Sequence, residues 1–193
     1  MLDGAILDGA NLAQASLKGA SLRGASFRAA DLYKASLVGA LLDNADFSGA
    51  ALREADLSWA SMVRTSFDFT DLRSAVLSFV PDGSDASFDY AFLEGAAMSS
   101  SFFRGTTWHE ARLDGVQMEN CDLSMATFNR SKFERTSLVD TLFDRATFAE
   151  VKLDDAVLDG PCSFVEVRLV GSSLRGALLQ EASFDGAIAT YTD

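Results

Sequence analysis

Few side chains in this sequence have types and spacing that could do chemistry. His109 is the only histidine and follows Trp108, and the thiols are confined to Cys121 and Cys162. A nucleophilic triad or a metal centre needs several such groups converging in a cleft, and no Ser, Cys or carboxylate is required beside His109. Asp82-Gly83-Ser84-Asp85 has the composition of a cation loop but lacks the series of spaced oxygen ligands that calcium demands. Asn129-Arg130-Ser131 matches a glycosylation acceptor, in a sequence whose regularity already favours Asn, Ser and Gly. The expectation is therefore a non-enzymatic protein with no catalytic residue, no cofactor and no metal.

The charged residues tell more. The chain of 193 residues has 16 Lys+Arg against 28 Asp+Glu, a net charge of -12. The imbalance is even, with 7 basic and 13 acidic residues up to position 96 and 9 and 15 beyond it. Binding to a phosphate backbone requires cationic neutralisation, so direct nucleic-acid binding is not expected. No apolar run reaches membrane-spanning length, and Met1-Leu2-Asp3-Gly4-Ala5 lacks the basic start and apolar stretch of a secretion signal, which leaves a cytoplasmic protein without membrane contact as the expectation. Only two prolines occur, neither in a Ser/Gly-rich linker, so residues 1–193 read as a single domain.

These residues must be positioned by a short repeat. From Leu2 a large apolar residue returns every five positions, at Leu7, Leu12, Leu17, Leu22, Phe27 and onward to Leu77, and two positions before each stands a small residue such as Ala5, Ala10 or Ala15. Neither the 3.6-residue period of a helix nor the 2.0 period of a strand puts every fifth residue on one face. The chain must therefore turn every five residues, and four turns close a square coil whose successive circuits stack as parallel strands. Residues one circuit apart should then form columns of like character. One column is aromatic: Leu7, Phe27, Phe47, Phe67, Phe88, Trp108, Phe128, Phe148, Leu169. It places single-residue bulges near 78–86 and 160–162, the first with one centre that has lost its large side chain. Counting centres gives about 36 repeats in about nine coils, a filled rod roughly 45 Å long. Cys121 and Cys162 fall on inward small positions two coils apart, about 9 to 10 Å, too far for a disulfide, and read as buried free thiols.

The consensus Ala-(Asp/Asn/Ser)-(Leu/Phe)-X-Gly, as in Ala10-Asn11-Leu12, Ala30-Asp31-Leu32 and Ala45-Asp46-Phe47-Ser48-Gly49, resembles the pentapeptide-repeat family from residue 2 to 186. That resemblance implies an all-β, right-handed quadrilateral parallel β-helix. The best understood branch of the family consists of cytoplasmic bacterial proteins that mimic B-form DNA, bind DNA gyrase or topoisomerase IV and protect it from quinolones or peptide toxins. Length, acidity and an uninterrupted solenoid agree with that branch. Its members commonly pair through a C-terminal helical segment, whereas here only Ala187-Ile188-Ala189-Thr190-Tyr191-Thr192-Asp193 follow the repeats, so a homodimer formed that way is not expected. A scaffold for another protein in signalling or development is the alternative that the wider family implies.

Partner specificity must reside in outward positions. On two adjacent sides of the second half these carry Glu119, Asp122, Asp140, Asp144, Asp159, Glu166, Glu181 and Asp185, diluted by Arg104 and Arg145, while the opposite sides carry Arg112, Lys132 and Lys152. Eight carboxylates over roughly 19 Å approach the line charge of a nucleic acid and could engage a cationic DNA-binding groove; a solvated face that keeps the rod soluble is the plainer reading. Trp59 and Phe79 fall on one outward corner and Phe69 and Tyr90 on another, each pair one coil apart, with Phe92 and Phe102 at outward positions nearby, all around the first bulge. They read either as a partner-binding patch or as a local minicore under the irregular turn.

Overall fold

The computed structural model describes residues 1–193. Each repeat supplies the same backbone bonds. Around Leu7, the N–H of Ala10 donates to the Leu7 carbonyl and closes a β-turn through Asp8-Gly9, and Gly9 has φ +64°. A turn with its third residue in the left-handed region favours glycine, which explains why Gly recurs two positions after a centre. The other bonds run between coils: Leu7 N to Ser26 O at 2.7 Å, Gly9 N to Arg28 O at 2.8 Å, and Ser26 N to Ala5 O at 2.8 Å.

Parallel bridges join residues 20 apart, from Ile6–Ser26 and Asn11–Asp31 onward, with four bridging positions in each such circuit. The separation becomes 21 for Ser66–Ser87, Asp71–Phe92 and Val76–Ala97, returns to 20 at Ser87–Thr107, and is 21 again at Leu142–Ser163. The coil thus has four sides. We call them first (centres Leu7, Phe27, Phe47 and their column), second (from Leu12), third (from Leu17) and fourth (from Leu22).

The sides are mostly single bridges rather than full strands, because two residues in every five are spent on the corner turn. Only the first side of the second half lengthens into strands, β1 (Thr127–Asn129), β2 (Thr147–Ala149), β3 (Arg168–Val170) and β4 (Ile188–Thr190), which form a parallel sheet in that order. No helix is present, and hence none long and apolar enough to cross a membrane.

The interior is apolar and filled. Phe27, Phe47, Phe67, Phe88, Trp108, Phe128 and Phe148 form a ladder of stacked rings with centroids 4.1 to 5.9 Å apart. A second ladder, Phe143–Phe164–Phe184, runs down the fourth side at 4.9 and 4.7 Å. Most inward small positions that carry a hydroxyl or thiol donate it to a carbonyl of the preceding circuit: Thr70 Oγ1 donates to Phe47 O, Thr136 Oγ1 to Leu113 O, and the Cys121 and Cys162 thiols to Met98 O and Leu138 O; Thr106 instead donates to Phe103 O of its own circuit. Thr141 lies between the two cysteines, and both thiols are free and buried.

The two irregular turns differ. At the first, Gly83 occupies a centre position on the fourth side, its N–H bonded to Phe102 O, and the Phe103 ring fills the space a side chain would take. At the second, Gly160 (φ +79°) precedes Pro161, and the Cys162 N–H closes onto Gly160 O.

Candidate protein-binding surfaces

Outward side chains occupy three positions per repeat: the bridge before the centre and the two turn residues after it. Consecutive corners of one circuit are at Trp59, Arg64 and Phe69, all at positive φ. Trp59 and Phe69 are therefore two corners apart, on diagonally opposite edges of the rod. The six outward aromatics accordingly do not form one patch. Trp59 and Phe79 stack at 4.9 Å on the corner between third and fourth sides, with Phe102 on the adjoining fourth side. Phe69 and Tyr90 stack at 4.7 Å on the corner between first and second sides, with Phe92 on the adjoining second side.

The irregular turn covers neither group. Trp59, Phe69, Phe79, Tyr90 and Phe102 are 59, 60, 46, 37 and 53% exposed, which excludes the minicore; only Phe92 is half-buried. All four corner aromatics have φ near +60°, a conformation costing about 1–2 kcal/mol for a residue with a Cβ. Every corner of the coil adopts this φ, with Lys34, Asn44, Glu54 and Arg64 at +53 to +59°, so it is the exposure of large rings that sets these positions apart.

Each aromatic pair continues along its own corner into charge. Below Trp59 and Phe79 the corner reads Ser100, Asn120, Asp140, Gly160, Glu181; below Phe69 and Tyr90 it reads Glu110, Arg130, Glu150. All eight carboxylates of the acidic strip lie on the third side, the fourth side or their corners, but they are not equivalent. Asp159, Glu166, Glu181 and Asp185 are exposed, whereas Glu119, Asp122, Asp140 and Asp144 are half-buried. Glu119 accepts from Ser137 Oγ, Asp122 from the Ser124 N–H, and Asp144 from both Ser163 Oγ and the Val165 N–H. Arg145 pairs with Glu166 at 2.9 Å, and Arg104 stands 3.9 Å from Asp122.

The bonding of Asp144 is one instance of a recurring clamp. Asp3, Asp8, Asp43, Asp68 and Asp154 likewise accept the hydroxyl of a Ser and a backbone N–H in the following circuit. Its signature, an Asp followed 18 residues later by Ser, or 19 across a bulge, is readable in the sequence and was the missed signal that some acidic positions join coils.

Arg112, Lys132 and Lys152 stack in bridge register on the second side. Arg112 lies over the Phe92 ring at 5.2 Å and 3.9 Å from Glu94; Lys132 and Lys152 make no ion pair. His109 is half-buried against the Tyr90 edge at 5.1 Å, with Nε2 3.6 Å from the Glu110 carboxylate. Asp82 of the cation-loop-like segment accepts from the Ser84 N–H, and Ser131 of the sequon is buried and donates to Trp108 O. No group of three or more His, Cys, Asp or Glu is arranged to hold a metal ion. Burial pushes the Cys121 thiol up to about 12 and raises that of Cys162.

Among solved structures, HetL, a pentapeptide repeat protein involved in heterocyst differentiation regulation from the cyanobacterium Nostoc sp. strain PCC 7120, is 24% identical over 96% of this chain and 87% of its own, with a TM-score of 0.42. QnrB1, a plasmid-mediated fluoroquinolone resistance protein solved in a trypsin-treated form, is 16% identical over 89% of this chain and 78% of its own, with a TM-score of 0.32. No curated protein sequence matches the chain. The family model for pentapeptide repeats matches residues 5–44, 40–78, 121–160 and 162–193, well over half of the sequence. With a repeat that turns at every fifth residue and pairs with itself one circuit on, the chain belongs to the pentapeptide-repeat family.

Proposed function

We propose that this protein is a non-enzymatic, cytoplasmic DNA mimic: a right-handed quadrilateral β-helix of about nine coils. It binds the cationic DNA-binding groove of DNA gyrase or topoisomerase IV and protects the enzyme from a quinolone or a natural toxin. The observation that carries this reading is the segregation of charge. Asp159, Glu166, Glu181 and Asp185 are exposed on two adjacent sides, while Arg112, Lys132 and Lys152 share a column on the second side. These four carboxylates lie in two adjacent coils, about 10 Å of rod, over which duplex DNA presents about six charges, and Arg145 pairs with Glu166, so the exposed strip supplies a sparser field of the same sign. Trp59, Phe79 and Phe102 share this flank and add apolar contacts that a purely electrostatic mimic lacks.

The test is gyrase supercoiling with a fluoroquinolone present and the protein titrated in. Restored supercoiling supports the reading; neither inhibition nor rescue at any ratio sinks it.

The stacked aromatics also favour a second reading, a scaffold for a protein partner outside topoisomerase biology, since exposed rings recognise apolar pockets rather than a DNA-shaped groove. In that case Trp59→Ser with Phe79→Ser abolishes partner binding, while charge reversal on the strip leaves it intact.

A further inference from the structure

The flank opposite the acidic strip holds a second surface that the DNA-mimic reading does not use. Between the first–second corner and the second side lies a shallow hollow of about 240 Å³, floored by Gly49, Ala50 and Ala51 and walled by Phe69 and Phe92. Arg112 closes its far end and also lines the next hollow, of about 310 Å³, with Arg130 and Lys132. The first hollow is also lined by Asp71, Arg73 and Glu94 and the second by Glu110; through Arg112 the two form one valley along the rod, with the Phe69 and Phe92 rings at one end and an excess of cations at the other.

Two features of the valley are unexplained by folding. Arg112, Lys132 and Lys152 are like charges in direct bridge register; Arg112 stands 3.9 Å from Glu94, whereas Lys132 and Lys152 have no counter-ion, an arrangement that is destabilising unless something neutralises it. The carboxylates Asp114 and Asp154 on the same side accept the backbone N–H groups of Glu134 and Arg175 and form no ion pair with either lysine. At the aromatic end, Glu94 Oε2 is buried with no hydrogen-bond partner, and an orphan acceptor of this kind calls for a donor.

We propose that this valley takes an extended peptide segment of a protein partner, with an aromatic or apolar anchor against Phe69 and Phe92, followed by acidic side chains over Arg112, Lys132 and Lys152. The reach fits: Phe92 to Lys152 is three coils, about 14 Å, the span of about four extended residues. Peptide carboxylates tolerate Glu110 and Glu150, which flank Arg130 on the corner, better than the unbroken charge of a nucleic-acid strand does.

Fluorescence polarisation of a labelled synthetic peptide, two aromatic residues followed by a run of glutamates, tests the assignment on the intact chain. Polarisation should rise on titration. Replacing the glutamates with glutamines, or the aromatics with serines, should each weaken binding at least about tenfold. Lys132→Glu with Lys152→Glu should do the same, and neither lysine has an ion pair whose loss would unfold the rod. Absence of binding by the parent peptide, indifference to both peptide controls, or unchanged affinity in the lysine variant overturns the proposal. Tighter binding of an oligo-dT strand, or a dimer of this chain that blocks the peptide, overturns it in favour of that occupant.

Discussion

The ring of Phe103 lies over Gly83, so that a Cβ on Gly83 would come within 2.6 Å of Phe103 Cδ1 and 3.2 Å of the Phe102 carbonyl. The two residues are successive centres of the fourth side. At this point the repeat loses its large side chain because the neighbouring one has taken its volume. Gly83→Ala is expected to destabilise by about 1–3 kcal/mol through overpacking. Phe103→Ala should cost about 3–5 kcal/mol by leaving a cavity, and Gly83→Leu on that background should recover part of the loss. Urea unfolding of the three variants checks this; additive losses in the double variant would contradict the shared-volume account.

Trp108 shows how an inward polar residue can be required by its neighbour. Its indole Nε1 donates to Thr106 Oγ1 at 2.8 Å, and that hydroxyl donates in turn to Phe103 O at 2.7 Å. Thr106→Val keeps shape and removes both bonds, so about 1–3 kcal/mol should be lost, and Trp108→Phe on that background should restore much of it. The readout is again the denaturation midpoint.

The fold was legible because its regularity is internal. The Phe27-to-Phe148 ladder and the small inward residues repeat so strictly that the four-sided coil follows from spacing alone. What lay outside that reading is just as physical. Asp144 and Asp159 look alike in the sequence, yet Asp144 is tied to Ser163 and Val165 while Asp159 is exposed. Phe69 and Trp59 fall on different corners already in the repeat register, but read as one patch near one bulge; the two turns between them set those corners diagonally opposite, so the six rings make two groups. Proximity along a solenoid does not imply proximity around it.

The clamp separates folding from binding. Asp144→Lys removes two hydrogen-bond acceptor contacts between coils and should lower stability by about 1–3 kcal/mol. Asp159→Lys, Glu181→Lys and Asp185→Lys change exposed groups and should alter the unfolding midpoint little. Thermal scans of the single variants distinguish the two classes; equal destabilisation by both would remove the basis for dividing the strip.

The buried thiols give a pH dependence with a definite sign. Burial raises the Cys121 pKa from 9.0 to about 12, so the unfolded chain loses this proton before the native one does. Its contribution is fully present below pH about 9 and falls away as pH rises towards 12. Both Cys121 and Cys162 should resist a thiol-directed aromatic disulfide at pH 8 in the native protein and react together on unfolding; rapid native labelling of Cys121 would contradict its placement.

In the proposed function the acidic flank competes with DNA for one cationic groove. The most direct measurement of this competition is release of a fluorescent DNA duplex from gyrase on titration with this protein. Competitive displacement is expected, lost in the Asp159→Lys, Glu181→Lys, Asp185→Lys variant and retained in Lys132→Glu with Lys152→Glu. Binding to gyrase that leaves the duplex in place, or displacement that survives the triple charge reversal, would contradict it.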